Sequence, residues 1–363
     1  MFRLGVIGCG RIVEDAHAPA LAALSDQAQI VALADPSAER RDAIAKLATA
    51  PVTGYGDWRE MLKRERLDAA VVAVPHHLHL SAITDVAAAG VDVISEKPLA
   101  NTVDEVDEIG HAIAKAGVRL SVMHNWMYNP DAQAAIKAAA SGRIGDPFLV
   151  RNESLLGVAW KSKDPSGDWR KDPRQSGGGI VIDGVYHPIY GSEAELGSPV
   201  VRVFAANRGE GEVEDTAVIV LEHANGGIAS IQRCHNAKGG GSSAHEIHGS
   251  RGSIRFRQSD PLIMNRVMAG EAPPGPAPGS PPPPPALEIF EDATTGWQAI
   301  DVPAGPWWSG IQTIFKLTFE AWATGENAPV GLADARHVLE VVAAIYDSAE
   351  RSEAVEISTG RAA

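Results

Sequence analysis

Apolar residues in the first third of the chain come in short, closely spaced runs separated by amphipathic stretches. Leu4–Ile7, Ile30–Ala34, Ala69–Val74, Val91–Ile94 and Arg119–Met123 are runs of the kind buried on both faces of a sheet, and they predict five strands. Between them, Ala16–Leu24, Ala38–Leu47, Trp58–Glu65, Leu80–Ala89 and Val103–Ala116 read as helices. Strand–helix alternation with short connections predicts an α/β Rossmann domain, a parallel doubly wound sheet, over residues 1–125. In such a sheet ligands lie beyond the carboxyl ends of the strands, so chemistry is expected just after each apolar run.

After Pro130 the pattern changes. A helix at Asp131–Ser141 and a strand at Pro147–Asn152 lead, through a polar loop, to a helix from about Ile180 to Leu196. The β-like runs Val200–Asn207, Thr216–Glu222, Ile228–Cys234, Ala244–His248 and Ser253–Arg257 follow, separated by Gly-rich turns. Helices near Ile311–Thr324 and Leu332–Ser348 close the chain and are able to pack back on the first domain. The whole of 126–363 is expected to be an α+β domain with a large, mostly antiparallel open sheet, serving substrate binding. Residues 271–285 are dominated by Pro, Gly and Ala, cannot bury a core, and read as a loop inserted between two strands, with a Pro-rich partner ligand as the other reading.

Composition narrows the function classes. A chain of 363 residues, 45% hydrophobic, exceeds one ordinary core and suits two domains. Its formal net charge of −14 disfavours a nucleic-acid backbone as partner. Two cysteines without a CxxC pair argue against a disulfide framework or structural zinc and for a reducing compartment. No apolar stretch is long enough to span a membrane, and the N-terminal run is too short for a signal peptide, so a cytoplasmic protein is expected.

Gly8-Cys9-Gly10 follows the first strand and opens a helix, where one glycine allows the turn and the other lets the backbone approach a pyrophosphate. The third position of that fingerprint is Val13, bulkier than the usual Gly or Ala, which should push the helix off the strand. Asp35 ends the second strand, where a carboxylate can accept hydrogen bonds from ribose hydroxyls and repels a 2′-phosphate. This favours NAD, although Arg40 and Arg41 nearby could answer a 2′-phosphate in NADP. The fourth strand ends in Val74-Pro75-His76-His77-Leu78-His79, read as a loop lining the nicotinamide rather than a metal site.

Glu96-Lys97-Pro98 follows the fifth strand, and an ammonium there can hydrogen-bond and protonate a substrate oxygen. Asn125 and Trp126 stand after the next run and are further candidates for the substrate. Downstream, Gly177-Gly178-Gly179-Ile180 opens a helix carrying Asp183 and His187, four apart and so on one face. The carboxylate can orient the imidazole or a hydroxyl, and the imidazole has the proton affinity to take a hydroxyl proton. Between these lies a loop with Trp160, Trp169 and Arg170, suited to sugar rings and hydroxyls or, equally, to packing. No metal is expected: His245 and His248 lie in a predicted strand and point to opposite faces. Cys9 is read as a packed residue.

These motifs, in this order, resemble the glucose–fructose oxidoreductase / inositol dehydrogenase / MocA (Gfo/Idh/MocA) family. The resemblance runs from Gly8-Cys9-Gly10-Arg11-Ile12 through Asp35, Pro75 with His79, and Glu96-Lys97-Pro98 to Gly177-Gly178-Gly179, Asp183 and His187. It implies Lys97, Asp183 and His187 as catalytic residues, a cofactor site including Gly8, Gly10, Arg11, Ile12, Asp35, Pro75, His76, His79, Glu96 and Lys97, and often a cis peptide before Pro98. It also implies a homodimer or homotetramer through the C-terminal sheet. His76, Met127 and Tyr190 depart from the family's common Asn, Arg and acid, and the missing Arg argues against a strongly anionic substrate. The expected activity is NAD-dependent hydride transfer at a hydroxyl-bearing carbon of a sugar, cyclitol or polyol. Redox-neutral glycoside cleavage with NAD and a non-catalytic sugar or NAD sensor are the alternatives.

Overall fold

The computed structural model describes residues 1–157, 168–238, 241, 243–257 and 285–357. They form two compact units. The first comprises Met1–Asn129, Ser162–Gly177 and Gly305–Leu339; the second comprises Pro130–Lys161, Gly178–Ala304 and Glu340–Ala363. The loop holding Trp169 and the penultimate helix thus group with the first unit, although both fall inside the 126–363 span assigned from sequence to the second domain.

The first unit carries strands β1 (Phe2–Ile7), β2 (Ala28–Ala34), β3 (Thr53–Tyr55), β4 (Ala69–Val72), β5 (Asp92–Ser95) and β6 (Leu120–Val122). They pair in parallel in the order β3-β2-β1-β4-β5-β6, the doubly wound arrangement. Six strands stand where five were expected. β3 has three residues, two of them exposed, so it offers no apolar run to detect. Leu4, Val6, Ile7, Val71, Val72, Val93 and Ile94 are wholly buried in this sheet, each contributing about 1.5–3 kcal/mol by leaving water.

The helices in chain order are α1 (Ala18–Ala22), α2 (Ala38–Ala45), α3 (Trp58–Arg64), α4 (His79–Ala88) and α5 (Val103–Ala116), then α6 (Pro130–Ala140) and the short α7 (Pro173–Ser176). Among the described residues, α8 (Tyr186–Leu196), α9 (Ser309–Ala323) and α10 (Leu332–Arg351) follow. α5 starts at Thr102, whose hydroxyl accepts the Glu105 N–H, and buries Val106 and Ile109. α9 turns Phe315, Phe319 and Trp322 inward; Phe319 stacks on Phe2 with centroids 5.1 Å apart, and Arg119 donates to the Trp322 carbonyl. A π-helical turn, Val13–His17, leads into α1, with Val13 wholly buried. The wider turn accommodates the bulk that the sequence reading expected to hold the helix away.

The second unit is a nine-stranded sheet: β7 (Pro147–Leu155), β8 (Val200–Arg208), β9 (Thr216–His223), β10 (Ile228–Cys234), β11 (Ser243–Gly249), β12 (Ser253–Phe256), β13 (Leu287–Phe290), β14 (Trp297–Ala299) and β15 (Val355–Glu356). The order is β14-β13-β12-β11-β7-β10-β9-β8-β15, antiparallel except for the parallel pair β7 and β10. Along β9, buried Ala217, Ile219 and Leu221 alternate with half-exposed Val218 and Val220, the period-two pattern of a sheet covered on one face. The Pro-rich stretch lies outside the described residues apart from Pro285; β12 and β13, on either side, pair antiparallel. Among the described residues, no helix is long and apolar enough to cross a membrane, and no cluster of three or more His, Cys, Asp or Glu could hold a metal ion.

Candidate active site

In the first unit, β1 delivers Gly8 at φ 90°, a conformation that disfavours side chains; a Cβ there would also sit 2.4 Å from the Ala73 carbonyl oxygen. A Cβ on Gly10 would meet nothing within 4 Å, so the backbone at the start of the helix faces open space. Asp35, at the end of β2, is buried and closes this turn. Its Oδ2 accepts the Cys9 N–H at 2.8 Å and its Oδ1 accepts the Ser37 N–H at 2.8 Å. Arg41 donates to the Asp35 carbonyl. Arg11 is buried, its Nε 3.0 Å from Asp15 Oδ2, and Ile12 beside it is half-buried. Burial, then the Asp35 charge, push the Cys9 thiol up to about 12, which makes it a packed residue and a poor nucleophile. An open glycine backbone at a helix start, with a carboxylate fixed beside it, fits the pyrophosphate and ribose of a dinucleotide.

Beyond β4, Pro75 leads into a 3₁₀ turn, His76–Leu78. His76 is buried, donates from Nδ1 to the Ser176 carbonyl at 2.8 Å, and meets the Trp169 ring edge-on at 4.6 Å. Arg170 lies over the other ring of that contact, 4.3 Å from the Trp169 centroid. The tryptophan is thereby engaged by protein. His79 is wholly buried and donates to the Val74 carbonyl at 3.0 Å; burial lowers its pKa. His79, expected from sequence in the cofactor site, begins α4 with its ring enclosed.

At the end of β5, Glu96 is bonded to His17 at 2.6 Å and accepts the Lys97 N–H at 3.1 Å; Lys97 is half-buried and the Lys97–Pro98 peptide is cis. Burial opposes ionisation of Glu96, but His17 and Lys97 outweigh it and hold the carboxyl below its usual range. His124, at the end of β6, is a buried residue that the sequence reading passed over. Burial, then the Lys97 charge, push its pKa down to about 3, so it is neutral near pH 7. Its signal was position, directly after the last parallel strand. Asn125 and Trp126 follow in a 3₁₀ turn, Asn125 half-buried and Trp126 44% exposed. Trp160 lies outside the described residues.

In the second unit, Glu214 organises the glycine turn. Its Oε1 accepts the Gly179 and Val181 N–H groups, each at 2.9 Å, and the Tyr346 hydroxyl at 2.8 Å. Burial and then Glu214 raise the Tyr346 pKa, keeping it a donor. The expected single helix opens as a π-helical turn, Val181–Val185, before α8. Asp183 is half-buried in that turn. His187 is buried at the start of α8 with Nδ1 2.6 Å from the Tyr190 hydroxyl. Tyr190, noted from sequence only as a departure, therefore contacts the candidate base. His235, after β10, lies close enough for the Asp183 charge to act on it, while burial, the larger effect, leaves its pKa lowered.

Residues 2–124 match the sequence profile of the Gfo/Idh/MocA oxidoreductases, NAD-binding Rossmann fold, and residues 132–255 match that of their C-terminal domain. Myo-inositol 2-dehydrogenase of Thermotoga maritima is 30% identical over 260 residues, covering 69% of this chain and 74% of that protein. The chain belongs to the Gfo/Idh/MocA oxidoreductase family. D-apiose dehydrogenase of Paraburkholderia graminis is 28% identical over 364 residues, covering 99% of this chain and 90% of that one. Levoglucosan dehydrogenase, in complex with NADH and levoglucosan, shares the fold with a TM-score of 0.80 over 99% of this chain and 100% of that one, at 23% identity. This Gfo/Idh/MocA chain is an NAD(P)-dependent dehydrogenase acting on CH–OH groups, and its first unit contains an NAD-binding Rossmann domain.

Proposed function

We propose that the chain oxidises, reversibly, a secondary or anomeric hydroxyl of a sugar, cyclitol or related polyol, with Lys97, Asp183 and His187 as its catalytic residues. The observation that carries this reading is the buried His187 imidazole, fixed through Nδ1 at 2.6 Å from the Tyr190 hydroxyl. When Nδ1–H donates to Tyr190, Nε2 keeps its lone pair and can take the proton of a substrate hydroxyl. NAD, held at the Gly8–Gly10 turn and Asp35, would supply the hydride acceptor for the carbinol carbon. Lys97 hydrogen-bonds the substrate oxygen as its charge grows, and Asp183 accepts a neighbouring hydroxyl or steadies the protonated imidazole. Gly8, Gly10 and Asp35 are assigned to the dinucleotide, and Asp35 favours NAD over NADP. Asn125, Trp126, Trp169 and Arg170 are assigned to the substrate. Relatives named for myo-inositol and D-apiose support a polyhydroxylated substrate.

The same reading includes a homo-oligomer through the C-terminal sheet. Phe204, Val218, Val220 and Ile228 form an exposed apolar row on one face of β8, β9 and β10, the kind of surface that marks an interface.

The test is NADH absorbance with purified protein and a panel of sugars, cyclitols and glycosides, run with NAD and NADP separately. Steady NADH formation with one class is expected. Lys97→Met and His187→Asn should each lower kcat by at least about 100-fold, and His187→Asn should leave NAD binding within about twofold. Full turnover in both variants would remove the assignment. Glycoside cleavage without net NADH would instead identify redox-neutral chemistry.

A further inference from the structure

His17 sits in the π-helical turn before α1, wholly enclosed, with its ring edge against Phe315 at 5.4 Å and 87°. Its Nε2–H donates to Glu96 Oε1 at 2.6 Å, while the other carboxylate oxygen, Oε2, accepts the Lys97 N–H at 3.1 Å. One carboxylate thus joins a histidine on the first helix to the main chain that carries Lys97. An enclosed carboxylate loses hydration and would take up a proton unless donors and cations replace it. The groups that replace it here are His17 and Lys97. Two further histidines face this cluster, His79 under the same turn and His124 beside Lys97; burial lowers both pKa values, so neither adds a cation near pH 7.

We propose that His17 is a positioning residue for Lys97: its hydrogen bond fixes the Glu96 carboxylate, and Glu96 in turn holds the main chain that carries the Lys97 side chain. The proposal rests on the reading of Lys97 as a catalytic residue, but its geometry does not. A merely structural pair would tie helix to strand and leave the Lys97 amine untouched.

The experiment is competitive acetylation of the whole protein with acetic anhydride at several pH values, with mass spectrometry of chymotryptic peptides. Exposed Lys63 and Lys316 serve as internal references. In His17→Leu, where Glu96 loses its donor, and in Glu96→Gln, where it loses its charge, the half-buried Lys97 side chain should become more accessible and acetylate at least about threefold faster relative to Lys63. His17→Gln, whose amide can still donate to Glu96, should restore the parent rate. Lys63 and Lys316 should not change. If His17→Leu fails to fold, Glu96→Gln, nearly identical in shape, still tests the charge and His17→Gln the donor. Parent-like labelling of Lys97 in Glu96→Gln, or in a folded His17→Leu, overturns the proposal. Turnover separates the two claims: an active Lys97→Met removes the catalytic reading of Lys97 without altering the labelling result.

Discussion

The hydroxyl of Tyr190 touches the His187 imidazole at 2.6 Å with both side chains buried, so Tyr190→Phe removes one hydrogen bond and little else. The ring that should take the substrate proton then loses its fixed orientation. An orienting bond of this kind is worth about 0.5–1.5 kcal/mol net, which places the expected fall in kcat at about two- to tenfold. KM for the polyol should stay within about twofold, because the imidazole itself remains. A parent-like kcat would mean that Asp183 or the helix backbone alone orients His187. From sequence, spacing alone put Asp183 and His187 together, and Tyr190 registered only as a substitution for an acid. A phenol three residues on gives no titratable signal, so its contact with Nδ1 became visible only when the helix was built. His124 escaped for a related reason: burial sets its chemistry, and no spacing rule reports burial for a lone histidine.

Glycine turns divide the elements into those that hold the fold and those that leave room for a ligand. A Cβ on Gly179 would lie 2.0 Å from the Glu214 carbonyl oxygen, backbone that cannot give way cheaply, whereas one on Gly10 meets nothing within 4 Å. Gly179→Ala is therefore expected to destabilise the protein by about 1–3 kcal/mol, seen as a lowered Tm. Gly10→Ala should keep the parent Tm but lose affinity for NAD in a fluorescence titration, since its methyl takes the space open to a pyrophosphate. A Gly10→Ala variant that binds NAD as the parent does would move the dinucleotide away from this turn. Both glycine clusters were legible in the sequence because each follows or opens a regular apolar pattern. The π-helical turns after them were not. Periodicity counts apolar residues per turn, and the extra residue in Val13–His17 or Val181–Val185 changes that count by less than a single strand or helix boundary does. The same limit hid β3, β14 and β15, of three, three and two residues, which exist because a neighbouring strand offers an edge to pair with.

Net charge and buried histidines make opposite claims about how the molecule responds to acid. With a formal charge of −14 at pH 7 and a sequence pI near 5.3, lowering the pH toward 5.3 relieves repulsion among carboxylates and should stabilise the fold. His79, His124 and His235 argue the other way. Burial lowers all three pKa values, His124 to about 3. Below the unfolded value of about 6.5 the unfolded chain takes up these protons while the folded chain does not, so each group withdraws up to about 1.4 kcal/mol of stability per pH unit as the pH falls. Glu96, held below the usual carboxyl range, adds a further loss once the pH drops through its unfolded value of about 4.3 toward its folded one. The histidine effect is local and unscreened, whereas surface repulsion is spread over many charges and weakened by salt. The expected outcome is a Tm that declines from pH 6.5 to 4.5 at 0.15 M salt, more steeply below 4.5. His124→Gln should flatten the upper part of that decline by removing one of the three protons. A Tm that rises toward pH 5.3 would show that charge repulsion governs stability, and that these histidines titrate as readily in the folded protein as in the unfolded chain.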